Sequence, residues 1–526
     1  MGRNQGECWT ELGEIMEYAH KVKVSEEVYE YGGPPLISNG KEMYNCHGEE
    51  HSLTIGTTGC GKTRGICMQT VRSLIRADES LIVVDVKGEL CNNSYMEAKK
   101  RGYELVVLDF RELLKSITWN PLWFPYTLYK SGDPEKVNQA MEMIVDLGTN
   151  LYDYQTKDPF WTKSAKNIFV ACVEALFIVG EAEQINLFNV YYLFVKGGEK
   201  FATSTYLKEF FMTCIGENHP AYVNMSTYLN SPNDTRGGLE AVMLEGIQNF
   251  AMSELMKDTL SHNGFDISKL TNKKTAIFIL VQDESVKYHK LAGIFVSQVY
   301  QHYIRMAHEK HGGKLPRRVN FILEEFGNLR IPEAPSMLSA ARSRNIRLHL
   351  IIQTLSQLRV HYGTENADVI KSNCLLWYSF STNNLETLEY LSRLCGERQV
   401  NTGEGRREPL ISVAQLQRFE PRQALVRIRG KQYVTTFPDI SKYDYGETKP
   451  YIKKKRKLKE VRLFEIQEYT KIRKRSKLFQ ALEKQKAESD KNNNKEENDE
   501  FTPNINTDGQ MASLENYFQK LDEVVI

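Results

Sequence analysis

Residues 56–63 read Gly56-Thr57-Thr58-Gly59-Cys60-Gly61-Lys62-Thr63, which matches the pattern G-x-x-x-x-G-K-[ST] of a phosphate-binding loop. A short apolar strand, Leu53 to Ile55, precedes this stretch, and an amphipathic helix follows it. Glycines in such a loop let successive backbone N–H groups point inward at a helix N-terminus, where the helix dipole also favours an anion. The sequence therefore predicts a site for a nucleoside triphosphate.

The residues of this loop have separate expected roles. Lys62 is expected to neutralise the β- and γ-phosphates, and the Thr63 hydroxyl to bind Mg²⁺. ATP and Mg²⁺ are therefore the predicted cofactors. The other expected contacts to ATP come from the loop and the residue after it, namely Gly56, Thr57, Thr58, Gly59, Cys60, Gly61 and Arg64.

An acidic pair supplies the second part of a hydrolytic site. A nucleotide hydrolase needs one carboxylate to hold Mg²⁺ through water and another to orient the attacking water. The apolar run Val319 to Leu323 has the length of a buried parallel strand, and Glu324 and Glu325 follow at its end. We expect Glu324 to hold the metal through water and Glu325 to act as the water-orienting base.

Polar residues near two further apolar strands complete the candidate site. Gln353 follows Leu348 to Ile352, where its amide could sense the γ-phosphate. The loop Asp85 to Leu90 follows another strand and is expected to border the nucleotide, with its role left open. Arg342 and Arg344 lie between the strands Val319 to Leu323 and Leu348 to Ile352. One of them could reach the nucleotide of a neighbouring subunit and stabilise transition-state charge, or both could simply be solvated surface residues.

Length and composition are those of a multidomain globular protein. The 526 residues favour roughly two to four domains, and 41% hydrophobic with 26% charged residues excludes fibrous and wholly disordered chains. Lys and Arg total 68 against 67 Asp and Glu, so any attraction to nucleic acid or membrane must be local. Nine cysteines without a CxxC pair favour a reducing cytoplasm. No window approaches the roughly 20 apolar residues that crossing a bilayer requires.

Charge is concentrated near the C-terminus. Residues 449–480 hold 13 Lys and Arg against 3 Asp and Glu, whereas residues 481–526 hold 5 against 11. The first segment could bind a DNA backbone or an anionic lipid leaflet, or be only a solvated charge run. Its main cluster is Lys453, Lys454, Lys455, Arg456 and Lys457. Residues 484–508 are predicted to be a flexible tether, and residues 511–525 a docking helix or a frayed terminal helix.

These motifs together resemble the coupling-protein ATPases of type IV secretion and conjugation, the TraG/TraD-like group. The resemblance is collinear over roughly residues 45–445. Besides the phosphate loop and the residues around Asp85, Glu324 and Gln353, it includes Leu108-Asp109, Trp119-Asn120-Pro121-Leu122, Asp158-Pro159-Phe160-Trp161 and Ser381-Thr382-Asn383-Asn384.

The resemblance implies an α/β fold, a RecA-like P-loop ATPase domain with a parallel-rich central sheet. Residues 1–131 and 266–448 would form this motor, and residues 132–265 an inserted all-α domain. The charge pattern itself predicts that residues 449–526 are a flexible charged tail made of a basic segment, a disordered linker and a docking or frayed terminal helix. The resemblance further implies a homo-hexameric ring that moves DNA, with an attached relaxase, into a type IV secretion channel. The inserted domain would meet the substrate or the relaxase.

The chain departs from the family pattern in two ways. Family members usually begin with membrane-spanning helices, so we expect either a membrane-anchored partner or a missing upstream part, and a cytoplasmic chain peripheral to the inner face of the membrane. Glu324 stands where the family has Asp, and its extra methylene is expected to push the carboxylate outward by roughly 1.5 Å. Hydrolysis could then be slow.

Two other functions stay open on the sequence. One is a receptor that binds nucleotide for assembly and recruits cargo without pumping it, which the Glu324 substitution keeps open. The other is a DNA translocase outside secretion.

Overall fold

The structure, a computed structural model, describes residues 9–496 except 153–157, 252, 271–272, 283–285, 400–406, 446–449 and 453. The strands are β1 (Ala19–Lys23), β2 (Pro35–Ser38), β3 (Glu42–Cys46), β4 (His51–Ile55), β5 (Ser80–Asp85), β6 (Glu104–Asp109), β7 (Lys200–Phe201), β8 (Ser204–Thr205), β9 (Thr275–Leu280), β10 (Val319–Leu323), β11 (Ile346–Ile352), β12 (Cys374–Ser379), β13 (Glu397–Gln399), β14 (Arg407–Pro409), β15 (Gln423–Ile428) and β16 (Lys431–Thr436).

The α-helices cover the faces of the sheet and fill the long connection after β6. They are α1 (Leu12–Met16), α2 (Met68–Arg76), α3 (Glu89–Lys100), α4 (Trp123–Tyr129), α5 (Pro134–Tyr152), α6 (Pro159–Val179), α7 (Leu187–Gly197), α8 (Tyr206–Phe210), α9 (Pro220–Asn230), α10 (Asn233–Ala251), α11 (Glu254–Ser261), α12 (Val286–His311), α13 (Phe326–Leu329), α14 (Ala334–Ala340), α15 (Leu355–Asn373), α16 (Leu385–Leu394), α17 (Val413–Gln417) and α18 (Ile466–Glu496).

The large sheet has the strand order β16-β15-β12-β4-β11-β10-β5-β9-β6. The run from β12 to β6 is parallel, and the hairpin β15–β16 adds an antiparallel edge beside β12. Strands such as β4, β5, β9, β10 and β11 are buried along their whole length, as expected for parallel strands covered by helices on both faces. The expected α/β architecture with a parallel-rich sheet is confirmed.

The register of the parallel strands fixes where the candidate residues lie. Ile352, the last residue of β11, pairs with Ile55 at the end of β4, and Leu323, the last residue of β10, pairs with Val84 near the end of β5. The residues that follow these four strands therefore emerge at one edge of the sheet. This carboxyl edge carries the phosphate loop, Asp85, the acidic pair and Gln353.

The connection between β6 and β9 is mainly helical. It contains α4 to α11 and one short ribbon, β7–β8, which the sequence did not predict. Helix α6 begins within the Asp158-Pro159 motif because the Asp158 side chain accepts from the Phe160 N–H at 3.0 Å and proline suits the first helical position. One hydrophobic core extends from the sheet into these helices, so the division at residues 132 and 265 stays a prediction.

A small antiparallel sheet, β1-β3-β2, precedes the phosphate loop and was not predicted. It packs on the β12–β15–β16 side of the large sheet, where the Tyr378 hydroxyl donates to the Pro35 carbonyl at 2.9 Å and the Tyr433 hydroxyl to the Leu36 carbonyl at 2.7 Å. Within the described part of the chain, no helix has both the length and the apolar character needed to cross a bilayer.

The basic segment at residues 449–480 has a partly structural role. Arg456 was predicted to contact DNA or lipid, but its guanidinium is bound to the Asp258 carboxylate, to the Thr259 hydroxyl at 2.7 Å and to the Ser116 carbonyl at 3.0 Å. Arg456 is thus engaged by a buried carboxylate on α11, and its predicted contact to DNA or lipid stays a prediction. Lys454, Lys455 and Lys457 are exposed, and Lys453 lies outside the described residues.

The chain then continues into α18. Phe464, just before this helix, and Tyr469, in its first turn, both contact Phe210 of α8 in the helical layer. The helix extends to Glu496, past Lys484 where a flexible tether was predicted. Lys, Glu, Gln and Ala are strong helix formers, so a helix started by packing propagates through a polar sequence. The docking helix predicted at residues 511–525 lies outside the described residues.

We predict that Arg456→Ala lowers the free energy of unfolding by about 2–3 kcal/mol, because it leaves the Asp258 carboxylate, only 3% exposed, without its guanidinium partner. Urea unfolding of the full chain measures this change. Lys457→Ala is the matched control, with an expected effect within about 0.5 kcal/mol since Lys457 is exposed. Equal effects of the two substitutions would contradict the structural role of Arg456.

Candidate functional site

The phosphate loop leaves β4 at Gly56 and enters a π-helical turn at Thr63–Cys67 that leads into α2. Gly59 and Gly61 have φ angles of +85° and +101°, which a residue with a side chain rarely adopts. A Cβ atom on Gly61 would also lie 2.5 Å from the Cγ atom of Arg422. The loop thus requires glycine at position 61 for both its backbone conformation and its packing.

Lys62 lies inside the loop and is 7% exposed. Its ammonium group donates to the carbonyls of Gly56 and, at 3.0 Å, Thr57. The loop borders a cavity of about 160 Å³ at the carboxyl edge of the sheet. The cavity is lined by Thr57, Thr58, Gly59, Gly61, Lys62, Thr63, Arg64, Val86, Lys87, Glu89, Glu324, Glu325 and Ile351.

Glu324 reaches the loop despite its longer side chain. The Thr63 hydroxyl donates to Glu324 Oε1 at 2.8 Å, and the Val86 N–H donates to Glu324 Oε2 at 3.4 Å. The expected outward displacement thus leaves the carboxylate within hydrogen-bond distance of Thr63. A hydroxyl and a carboxylate are hard oxygen donors of the kind that Mg²⁺ prefers, and Mg²⁺ commonly takes one or two protein ligands and completes its shell with water and phosphate. The donor set therefore fits Mg²⁺.

A second buried acid lies beside this pair. Asp85 accepts hydrogen bonds from the N–H groups of Gly88 at 2.6 Å and Cys91 at 2.8 Å. Burial raises the pKa of Asp85 to about 6. Burial, and then the charge of Asp85, raises the pKa of Glu324 to about 8. Without a cation, the site therefore retains a proton that a bound divalent ion would replace.

Glu325 and Gln353 are joined directly. The Gln353 side-chain amide donates to both Glu325 carboxylate oxygens at 3.1 Å, and the Gln353 N–H donates to the Gln357 side chain at 2.9 Å. Glu325 has a φ of +50°, an unfavourable backbone conformation for a residue with a side chain. The predicted base is therefore held in one orientation by the residue predicted to sense the γ-phosphate, and that residue is linked to the first turn of α15.

Arg342 is not brought to this site within one chain. It lies in the turn before β11, and Ile346 at the start of that strand pairs with Val319 at the start of β10. Arg344, in the same turn, bonds to the Ala340 carbonyl at 2.9 Å and to His308 at 3.2 Å. The length of β11 puts this turn about 20 Å from the carboxyl edge. The predicted role of Arg342 at a neighbouring subunit stays a prediction.

Two residues at the loop were missed by sequence reasoning. The Arg422 N–H donates to the Cys60 carbonyl at 2.8 Å, and Asp439 accepts from Arg64 at 2.9 Å. The Ser441 N–H, together with Arg64, lowers the pKa of Asp439 to about 2. No local signal marks these residues, because more than 350 positions separate them from the loop. Ser381 belongs to a quoted motif, and its carbonyl accepts from the Thr57 N–H at 3.1 Å.

We predict that Glu324→Gln makes the ligand-free chain more stable at pH 8 but not at pH 5. The pKa of Glu324 is raised from 4.5 to about 8 in the folded state, so the folded state binds the proton more tightly and unfolding becomes easier as pH rises through this range. The expected gain at pH 8 is on the order of 2–4 kcal/mol. Urea unfolding of the variant and the wild type at both pH values measures this gain. An equal difference in the free energy of unfolding at pH 5 and pH 8 would contradict the raised pKa of the buried Glu324.

A family model and several curated proteins match this chain. The model of the family described as Type IV secretory system Conjugative DNA transfer matches residues 9–408. Protein VirD4 of Rhizobium radiobacter is 26% identical over 398 residues, covering 74% of this chain and 54% of that protein. Conjugal transfer protein TraG of Escherichia coli is 24% identical over 408 residues, covering 72% and 61%. The chain therefore spans between half and two thirds of the length of these curated relatives.

Solved structures share the fold. The unbound monoclinic form of the bacterial conjugative coupling protein TrwBdeltaN70 has a TM-score of 0.60 at 15% identity, covering 83% of this chain and 93% of that chain. TrwB in complex with the ATP analogue ADPNP has a TM-score of 0.61 at 14% identity, covering 84% and 95%. These structures share the expected α/β fold. By the family match over most of its length, this chain belongs to the type IV secretory system conjugative DNA transfer family.

Proposed function

We propose that this chain is an ATP- and Mg²⁺-dependent coupling ATPase that drives DNA, with an attached relaxase, into a type IV secretion channel. The 2.8 Å hydrogen bond from Thr63 to Glu324 carries the proposal, because it joins the phosphate loop to the acidic strand end at one cavity. Family membership supports the transport role. TrwB has been solved with ADPNP and with ADP and Mg²⁺, and we extend these ligands to this chain.

The phosphate loop would hold the triphosphate. Its backbone N–H groups and Arg64 would bind phosphate oxygens, and Lys62 would exchange the carbonyls of Gly56 and Thr57 for the β- and γ-phosphates. Thr63 and, through water, Glu324 would hold Mg²⁺. The bound ion supplies charge neutralisation on the phosphate oxygens.

Glu325 would act as the general base. Its carboxylate is fixed by two hydrogen bonds from Gln353, so its lone pairs face a defined direction when it orients water and accepts a proton. Gln353 also bonds to Gln357 of α15. A change in the Glu325–Gln353 contact on loss of the γ-phosphate would therefore reach that helix, a route from hydrolysis to movement.

Arg342 would act on a neighbouring subunit. Since its turn lies at the sheet edge opposite its own phosphate loop, it could reach a nucleotide only across an interface. A homo-hexameric ring provides such an interface and a channel for DNA. The exposed Lys454, Lys455 and Lys457 would bind a DNA backbone or the inner leaflet of the membrane, where a membrane-anchored partner and the channel components would hold the ring.

A receptor that binds nucleotide without pumping cargo is the second candidate. The buried position of Glu324 favours it, because a protonated carboxyl group binds Mg²⁺ poorly at neutral pH.

We predict that Glu325→Gln lowers DNA-stimulated ATP turnover by about 10²-fold or more while nucleotide binding stays near the wild-type level, since only the base is removed. Lys62→Ala should lose both binding and turnover. Phosphate release and nucleotide titration on the full chain measure the two quantities. Wild-type turnover no greater than that of Lys62→Ala would reject the motor in favour of the receptor.

We also predict that Arg342→Ala subunits regain turnover when they are mixed with Lys62→Ala subunits. A mixed ring contains interfaces at which an intact phosphate loop meets an intact Arg342. Turnover is measured across mixing ratios, and Arg344→Ala serves as the neighbouring control because Arg344 is bonded within its own chain. If the turnover of each mixture is only the sum of the residual turnovers of the two separate variants, action across an interface is contradicted.

A further inference from the structure

Arg422 contacts the phosphate loop although it is distant from the loop in the sequence. It stands just before β15, and its N–H donates to the Cys60 carbonyl at 2.8 Å. Its side chain follows the turn of the loop so closely that a Cβ atom on Gly61 would be 2.5 Å from its Cγ atom. The guanidinium group is thus brought to the loop by contacts of both backbone and side chain.

The backbone of Arg422 is held in an unfavourable conformation. Its φ is +68°, a left-handed value at which glycine is the usual residue. The carbonyl of Arg422 accepts from the Phe437 N–H at 3.0 Å, which ties this conformation to the chain after β16. Strain of this kind concentrates at functional positions.

The guanidinium group has unused binding capacity. The Arg422 Nε atom is buried and has no hydrogen-bond partner among the described residues. Its Nη1 atom is 3.8 Å from Asp439 Oδ2, an ion pair that is too long for a hydrogen bond. The other oxygen of the same carboxylate accepts from Arg64 at 2.9 Å. Two guanidinium groups therefore share one carboxylate at the rim of the loop, which leaves an excess positive charge and an unsatisfied donor.

We propose that Arg422 is a further nucleotide-binding residue, which donates to a phosphate oxygen of the triphosphate held by the loop. Asp439 acts as a positioning residue that keeps Arg422 and Arg64 at the rim until the nucleotide enters. This inference rests on the proposed nucleotide site, and it links that site to the β15–β16 hairpin at the antiparallel edge of the sheet.

The test measures the affinity of the full chain for a fluorescent N-methylanthraniloyl ATP in the presence of Mg²⁺. Arg422→Gly removes the strain of the left-handed backbone conformation, whereas Arg422→Gln retains it. Both should weaken binding about tenfold, because each removes the same charge-assisted hydrogen bond. The melting temperature of the nucleotide-free Arg422→Gly chain should be unchanged or higher, since glycine adopts the left-handed conformation freely.

Arg429→Gly is the matched control. Arg429 also has a left-handed φ, of +46°, but stands at the other end of β15, so this variant should bind like the wild type. Wild-type affinity in both Arg422 variants, while Lys62→Ala loses binding, would overturn the inference alone. A loss of affinity matched by a lower melting temperature without nucleotide would also overturn it, since it would trace to loop packing. Wild-type affinity in Lys62→Ala would instead reject the proposed nucleotide site itself.

Discussion

The hydrogen bond between the Thr63 hydroxyl and the Glu324 carboxylate joins two segments that are 261 residues apart in the chain. Thr63 follows β4 and Glu324 follows β10, and β11 lies between these two strands. All three strands are parallel, so their carboxyl ends lie at the same edge of the sheet and the two side chains can meet there. A shift of one residue in any of these strands would turn alternate side chains to the other face and separate the two groups. The candidate site thus depends on sheet register more than on any loop.

That register also has an electrostatic cost. It places Asp85 and Glu324 together in a buried position, where both carboxyl groups have raised pKa values. Backbone N–H groups from Val86, Gly88 and Cys91 offset part of this cost. Concentrating buried acids where a cation would bind makes the ligand-free chain less stable than it would otherwise be, and at neutral pH a divalent ion would have to displace a proton in order to bind.

The sequence predicts those parts of the site that follow from local pattern. The phosphate loop is recognisable within eight residues, and Glu324, Glu325 and Gln353 stand directly after apolar runs whose ends must meet in a parallel sheet. Arg422 and Asp439 could not be found in this way, because they reach the loop through the antiparallel hairpin β15–β16. The small β1–β3 sheet was missed for another reason: its strands are short and of mixed polarity, without a clear period of two.

Arg456 shows a further limit of reading charge from sequence. Its neighbours are four lysines of similar appearance, yet only burial reveals that Arg456 binds Asp258, Thr259 and Ser116. The planar guanidinium can serve three acceptors in one geometry, which a lysine ammonium cannot do as well. Ser116 lies after the edge strand β6, and Asp258 lies on α11, so one side chain connects the large sheet to the helical layer. Of its lysine neighbours, Lys454, Lys455 and Lys457 are exposed, so one short segment both stabilises the fold and presents a positive surface.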